Sequence, residues 1–505
     1  MGVTRGVSQT LRSRQLLGIL VALVAGLATV LFLVYPRELA LGGLVTLGIV
    51  LALYLMANPE RTYLAMVFCL PIMGVGRIEV GVTITLSKLL AALLILQLIL
   101  MRLQGRHRIH IPRSEHDRLL VAFWIYALVL SLVSLFTLDR VTEFREFHLR
   151  GPYLRFVSQL LVLFLMAAIY FGTRAVVRDR RMVRRTLNTV LASFLTLGIY
   201  GIYQFVGYRF GWPFTDIRQG TTAYSRVGQF LQMTRISSLA GEPKTLALTM
   251  LPLIILLLSL RASRSSWWGR GRARFVVIVL LIAVFLGTFS RAGLILLPFC
   301  IVVLPLLRGR RGTARLWTTV ALCIVVIAAG GYVGTRILGF SLYDVFSVRI
   351  AETAVERFQQ TNEFPKLVGA WRTITSHPIV GVGLGNATFY MKRVMAEMGW
   401  TDTLPVENPP NQFLALWAET GIIGLGLFMA FVIGGLLRVR RGVRAMAESE
   451  EKDIALGLFA AAFAMVSVYA YMTWLSEPFL WFWLGLAHAA VDVRDARRLD
   501  PPVPI

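Results

Sequence analysis

Charge of one sign is scarce in this chain. Its 505 residues hold 27 acidic side chains against 52 Lys and Arg, and charged residues of both signs make up only 16%. A soluble protein of this length carries more charge and interrupts its apolar runs sooner. There are three cysteines, Cys69, Cys300 and Cys323, all inside apolar runs. Neither a disulfide framework nor a metal-ligand spacing follows from them. Asp-x-Asp is missing, which removes the paired carboxylates that commonly hold a cation for transfer from a nucleotide sugar. A HExxH helix, a nucleophile elbow and a Walker loop are missing too. No metal and no cofactor are expected.

What the chain has in abundance is apolar length. Mean hydropathy is +0.68, and 56% of the residues are hydrophobic. Runs of roughly 17–25 apolar residues, the length that spans a bilayer as helix, recur throughout. They predict an all-α polytopic membrane protein with about fourteen transmembrane helices. The expected spans lie near 15–35, 39–57, 62–76, 84–101, 117–137, 153–173, 185–207, 244–261, 273–290, 291–308, 315–334, 411–437, 454–473 and 477–491. The first run is read as a span and not as a signal peptide, being too long and without a cleavage site.

A net charge of +25 would suit nucleic acid, yet the basic residues form short clusters between apolar runs. No nucleic-acid partner is expected. Clusters such as "TRAVVRDRRMVRR" and "RASRSSWWGRGRAR" place alternate connections, and both termini, in the cytoplasm. The chain then divides into N-terminal transmembrane helices (1–208), a long extracytoplasmic loop (209–243) and central helices (244–334). A larger extracytoplasmic loop with short helices (335–410) and C-terminal helices with a cytoplasmic tail (411–505) follow. Loops of that length in a compact architecture are usually functional.

The second loop contains "SHPIVGVGLGN", with glycine at alternate positions. It lacks the GxGxxG spacing and the cytosolic access of a dinucleotide fingerprint. A tight turn close to a neighbouring chain or a ligand fits better. Arginines stand where orientation signals prefer none: Arg235, Arg291, Arg349, Arg357 and Arg372. A guanidinium at the lipid boundary is costly unless something anionic meets it, and its fork matches phosphate oxygens. Lipid headgroups and a pyrophosphate-bearing substrate both satisfy that requirement. His377 is the only histidine of the second loop, suited to packing beside Pro378 or to proton transfer. Glu242 precedes Pro243, where it caps a helix or positions a substrate hydroxyl. Glu419 falls roughly 12 Å inside a span on helical rise. An intramembrane carboxylate is a functional candidate, although one bonded to a neighbouring helix has the same sequence signature.

The segment "WRTITSHPIVGVGLGN", followed by "NQFLALWAETGIIG", resembles the O-antigen ligase and polysaccharide polymerase superfamily. "TRISSLAGEPKTLA" and "FSRAG" add to the likeness, which covers residues 225 to 435. The resemblance implies a bundle of the GT-C type that moves a glycan from undecaprenyl pyrophosphate to an acceptor hydroxyl. The acceptor is a glycan or a lipid, and the reaction proceeds at the outer face of a bacterial cytoplasmic (inner) membrane, without metal and with inversion. It also implies pyrophosphate-binding arginines. Arg235 and Arg291 match those positions, and Arg349 and Arg357 match less closely because the usual Arg before Trp371 is absent. Asn411, Gly421 and Gly424 keep the spacing of the ligase signature, but Pro410 stands where that signature has its catalytic histidine.

Either Glu407 or His377 is then the expected proton acceptor, with Glu407 preferred because Pro409 and Pro410 stiffen the backbone beside it, or no base is needed because pyrophosphate is already a good leaving group. Arg235, Arg291, Arg349, Arg357, Glu242 and Asn411 are the expected substrate-binding set. The competing reading is a transporter or flippase of lipid-linked glycans that breaks no bond. Transporters more often show internal repeats and charged, broken helices at the midplane. The concentration of unusual residues in two loops favours an enzyme.

Overall fold

The structure, a computed structural model, describes residues 53–75, 83–104, 115–137, 152–213, 235–260, 271–308, 363–398, 409–473 and 477–499, with a few positions between them. The expected spans at 15–35 and 39–57 lie almost wholly outside the described residues, as does most of 315–334. Arg349, Arg357 and Glu407 lie outside them too.

Apart from one antiparallel hairpin, Ile78–Glu79 with Thr83–Ile84, the regular structure among the described residues is helical. In chain order the helices are α1 (Pro59–Cys69), α2 (Leu86–Leu103), α3 (Glu115–Thr137), α4 (Pro152–Val176) and α5 (Arg180–Phe210). Then come α6 (Pro243–Ser259), α7 (Gly271–Gly287), α8 (Arg291–Arg308), α9 (Glu363–Ser376) and α10 (Ala387–Glu397). The last are α11 (Gln412–Arg444), α12 (Glu450–Val468) and α13 (Phe479–Leu499). Within α2, α3, α4, α5 and α11 the described residues are long and apolar enough to cross a membrane. The protein is an all-α polytopic membrane protein.

Local chemistry sets the helix ends. Asn58, Asp179 and Ser449 cap α1, α5 and α12 by accepting from the N–H of Glu60, Met182 and Lys452. Pro59 stands in the first turn of α1, and Gly211 closes α5 in the left-handed conformation at φ 68°. The expected span at 62–76 is accordingly shorter, ending at Cys69 just before Pro71.

The apolar helix α6 is buried at every residue from Thr245 to Ser259, packed among α7, α8 and α12. A helix apolar on all sides belongs in the middle of a bundle, and this one occupies it.

The bundle has two unlike ends. At the first, the buried guanidinium of Arg174 on α4 bridges Asp117 of α3 at 2.6 Å and Asp492 of α13 at 2.9 Å. Arg438 of α11 meets the same Asp492 at 2.6 Å. Two cations thus face two anions, and Tyr170 Oη lies 2.6 Å from His488 Nδ1. Nearby Arg184 on α5 pairs with Glu450 of α12 at 2.9 Å, and Arg180 pairs with Glu451. The opposite end gathers the N-termini of α2, α6, α8, α11 and α13 with the C-termini of α5, α7 and α12. There the Gln412 N–H donates to the Tyr469 carbonyl at 2.9 Å, and Lys88 of α2 pairs with Glu477 at 3.1 Å.

Candidate active site

Two constructions at the second end carry the residues that the sequence singled out. The first joins the segment from Arg235 to Ala240 to the turn between α7 and α8. The Ile236 N–H donates to the Gly287 carbonyl at 3.0 Å, and Arg235 Nε donates to the Thr288 carbonyl at 2.8 Å. Arg235 and Arg291, far apart in sequence, are therefore held on neighbouring backbone. Both are half-buried. Ser290 receives the Gly293 N–H on its hydroxyl at 3.3 Å, which starts α8 with Arg291 as its first residue. Peptide dipoles at a helix N-terminus favour anions, as the guanidinium beside them does.

Each of the two joined segments contains a backbone conformation that L residues avoid. Ser238 has φ 49° and Phe289 has φ 48°, and they are the two non-glycine residues with positive φ among the described residues. Such conformations persist only where the surroundings over-determine them, and they cluster at functional sites. The surroundings of Ser238 are dense: its hydroxyl donates to the Leu197 carbonyl at 2.7 Å, and its N–H donates to Gln204 Oε1 at 2.8 Å. Glu242 stands exposed at the N-cap position of α6, where its carboxylate accepts from the Thr245 hydroxyl at 3.3 Å and from no cap amide.

The second construction is a broken helix. Gly421 inside α11 has φ 63° and ψ −172°, so the helical ladder is interrupted there. The loop between α9 and α10 fills the break. The Val382 N–H donates to the Ala418 carbonyl at 3.0 Å, Gly383 to Glu419 at 2.7 Å, and Ile422 N–H returns to the Pro378 carbonyl at 3.0 Å. Tyr126 of α3 donates to the freed Thr420 carbonyl at 3.0 Å.

The alternating glycines take positive φ throughout, 78° at Gly381, 91° at Gly383 and 74° at Gly385. The N–H groups of Gly381 and Gly383 are engaged within the protein, with the His377 and Glu419 carbonyls. The stretch is a backbone splice and not a phosphate cradle. Asn411 caps α11, its side chain accepting from the Leu414 N–H at 2.9 Å. A side chain at Gly421 would run into the Ile379 carbonyl, and one at Gly424 into Thr420. Cap, break and close contact thus account for Asn411, Gly421 and Gly424 at their spacing.

His377 follows α9, exposed, its ring edge-on to Tyr390 at 5.4 Å. Ser376 spends its hydroxyl hydrogen on the Thr373 carbonyl at 2.9 Å and lies 2.9 Å from His377 Nδ1. Nδ1 is then the donor in that pair, which leaves the lone pair of the neutral ring on Nε2. Arg235 and Arg291 therefore sit on joined segments, and His377 leads into the loop that fills the break beside Glu419, in the helix that Asn411 caps. Helix α12 packs against α6 and α8 and also against α11.

Residues 276–429 match the family model described as O-antigen ligase. The match runs from α7 to the far side of the break in α11 and takes in Arg291, His377, Asn411 and Glu419. It identifies a domain of the O-antigen ligase and polymerase superfamily, and with the apolar helices it marks a multi-pass membrane enzyme that acts on glycans. A search of the curated proteins found no match.

Sequence reading missed Gln204 and Lys88. Both interrupt apolar runs, "GIYGIYQFVGY" and "ITLSKLLAALL", close to their ends. A polar residue so placed is the signal that marks them.

Proposed function

We propose that the protein transfers a glycan from an undecaprenyl-pyrophosphate-linked donor to an acceptor hydroxyl, as a polysaccharide polymerase or an O-antigen-type ligase. The reaction takes place at the outer face of the bacterial cytoplasmic membrane, with both termini of the chain inside. The acceptor is a glycan or a lipid. The observation that carries this reading is the joining of the Arg235 and Arg291 segments through Ile236 and Gly287, each with a strained residue beside its arginine. Two guanidinium groups and a helix N-terminus at the lipid boundary suit a pyrophosphate on a lipid carrier.

In this mechanism the acceptor oxygen attacks the anomeric carbon from the face opposite the pyrophosphate, which inverts that centre. The glycosidic C–O bond breaks, and its electron pair leaves on the lipid-borne pyrophosphate. Arg235 and Arg291 stabilise the charge that develops there, a task that needs no metal. Arg349 and Arg357 join them from the second loop, and Glu242 and Asn411 line the substrate path. His377 Nε2 takes the acceptor proton, its ring oriented by Ser376. Glu407, preferred on sequence, is the competing base.

Purified protein in liposomes, given lipid-linked donor and acceptor, tests the reading. Glycan on the acceptor with undecaprenyl pyrophosphate released supports it. Donor that merely changes leaflet, with its glycan attached, would make the protein a flippase.

A further inference from the structure

We infer that Gln204 is a positioning residue for the arginine-bearing segment, an assignment that rests on the reading of Arg235 as a donor-holding group. Gln204 lies on α5, 7% exposed, near the end where Arg235 emerges. Its Oε1 accepts from the Ser237 N–H at 3.1 Å and from the Ser238 N–H at 2.8 Å, and its Nε2 donates to Ser237 Oγ at 3.1 Å. One side chain thus grips two consecutive residues, the second of them in the left-handed region at φ 49°.

Buried N–H groups need acceptors, and the bend at Ser238 withholds the ordinary ones. From this anchor a short run of bonds leads to the arginines. Ile236 ties to Gly287, and Arg235 Nε ties to Thr288, three residues before Arg291. Close packing supports the same geometry. A side chain at Gly201, one turn before Gln204, would approach Ile236 Cγ2 to 2.8 Å, and one at Gly287 would approach Ile236 Cδ1 to 2.6 Å. Gln204 therefore fixes the register of the Arg235 segment against α5 and α7 while remaining away from the substrate.

The test measures binding of undecaprenyl pyrophosphate to purified full-length protein, with KM for donor and acceptor taken separately. Gln204→Leu removes every hydrogen bond from this side chain to Ser237 and Ser238 and should weaken binding about tenfold or more, in line with the net worth of the bonds lost. Donor KM should rise with it while acceptor KM stays put. Gln204→Glu keeps oxygen acceptors for both amides and should restore most of the affinity. In the Arg235→Ala background, Gln204→Leu should add little, because the two act through one contact.

If Gln204→Leu fails to accumulate, Ser237→Ala, which deletes the hydroxyl contacts with Gln204 and leaves both backbone N–H bonds, should show a smaller loss confined to the donor. Wild-type donor binding by Gln204→Leu, or by Ser237→Ala in its place, with binding lost in Arg235→Ala would overturn this inference alone. Wild-type binding by Arg235→Ala would overturn the donor-site reading and this inference with it. Equal rises in donor and acceptor KM would reduce Gln204 to a general packing residue.

Discussion

The main-chain N–H of Gly383 donates to the carbonyl of Glu419 at 2.7 Å. Through this bond a loop completes a helix that cannot complete itself, since the break at Gly421 removes the ordinary donors to Ala418 and Glu419. The glycines serve geometry. At Gly383 a side chain would sit 2.6 Å from Ser134 Oγ, and its φ of 91° is foreign to L residues.

Gly383→Ala and Gly421→Ala should each destabilise the fold, by about 1–3 kcal/mol from backbone strain with the steric clash in addition. Gly426 in the same helix has open space around it, so Gly426→Ala should leave stability unchanged or raise it by up to roughly 1 kcal/mol. Thermal unfolding in detergent, followed by size-exclusion chromatography, reads both. A wild-type melting temperature for Gly383→Ala would refute the splice.

Arg174→Met should be among the most damaging changes at the opposite end. It leaves Asp117 and Asp492, whose side chains are 11% and 9% exposed, facing each other across the lost cation. Breaking a buried pair from one side costs roughly 3–5 kcal/mol. Neutralising one anion in the double variant Arg174→Met/Asp117→Asn should recover part of the loss. Donor affinity per folded molecule should not change, because the network lies at the other end of the bundle.

His377→Ala should lower transfer by about 10²–10⁴-fold, the range of general-base catalysis, while donor binding stays near wild type. Glu407→Gln should retain most activity. In vitro transfer with donor binding measured separately distinguishes the two. A dead Glu407→Gln beside an active His377→Ala would hand the proton to the carboxylate.

The helices were legible because bilayer length writes itself into apolar runs, and α2 to α5 and α11 fall close to the expected spans. The arginines were legible as charges flanking apolar runs. Their supports were not. Gln204 meets Ser237 and Ser238 over a separation of 33 and 34 residues, and Arg174 meets Asp492 across most of the chain, so no local pattern announces either contact. The glycines were visible as a turn, but their purpose depends on a partner helix that only the fold supplies. Glu419 stood out as an intramembrane carboxylate, and the structure sets it at the break in α11, where its carbonyl accepts from the Gly383 N–H.

Arg235→Lys and Arg291→Lys test the central claim most directly. Lysine keeps the charge and loses the planar fork that holds two pyrophosphate oxygens at once. Undecaprenyl-pyrophosphate binding and glycan transfer, measured on purified variants present at normal abundance in the membrane, should both fall sharply for each. Wild-type binding and transfer in both lysine variants would contradict the account and leave these arginines as anchors for lipid headgroups.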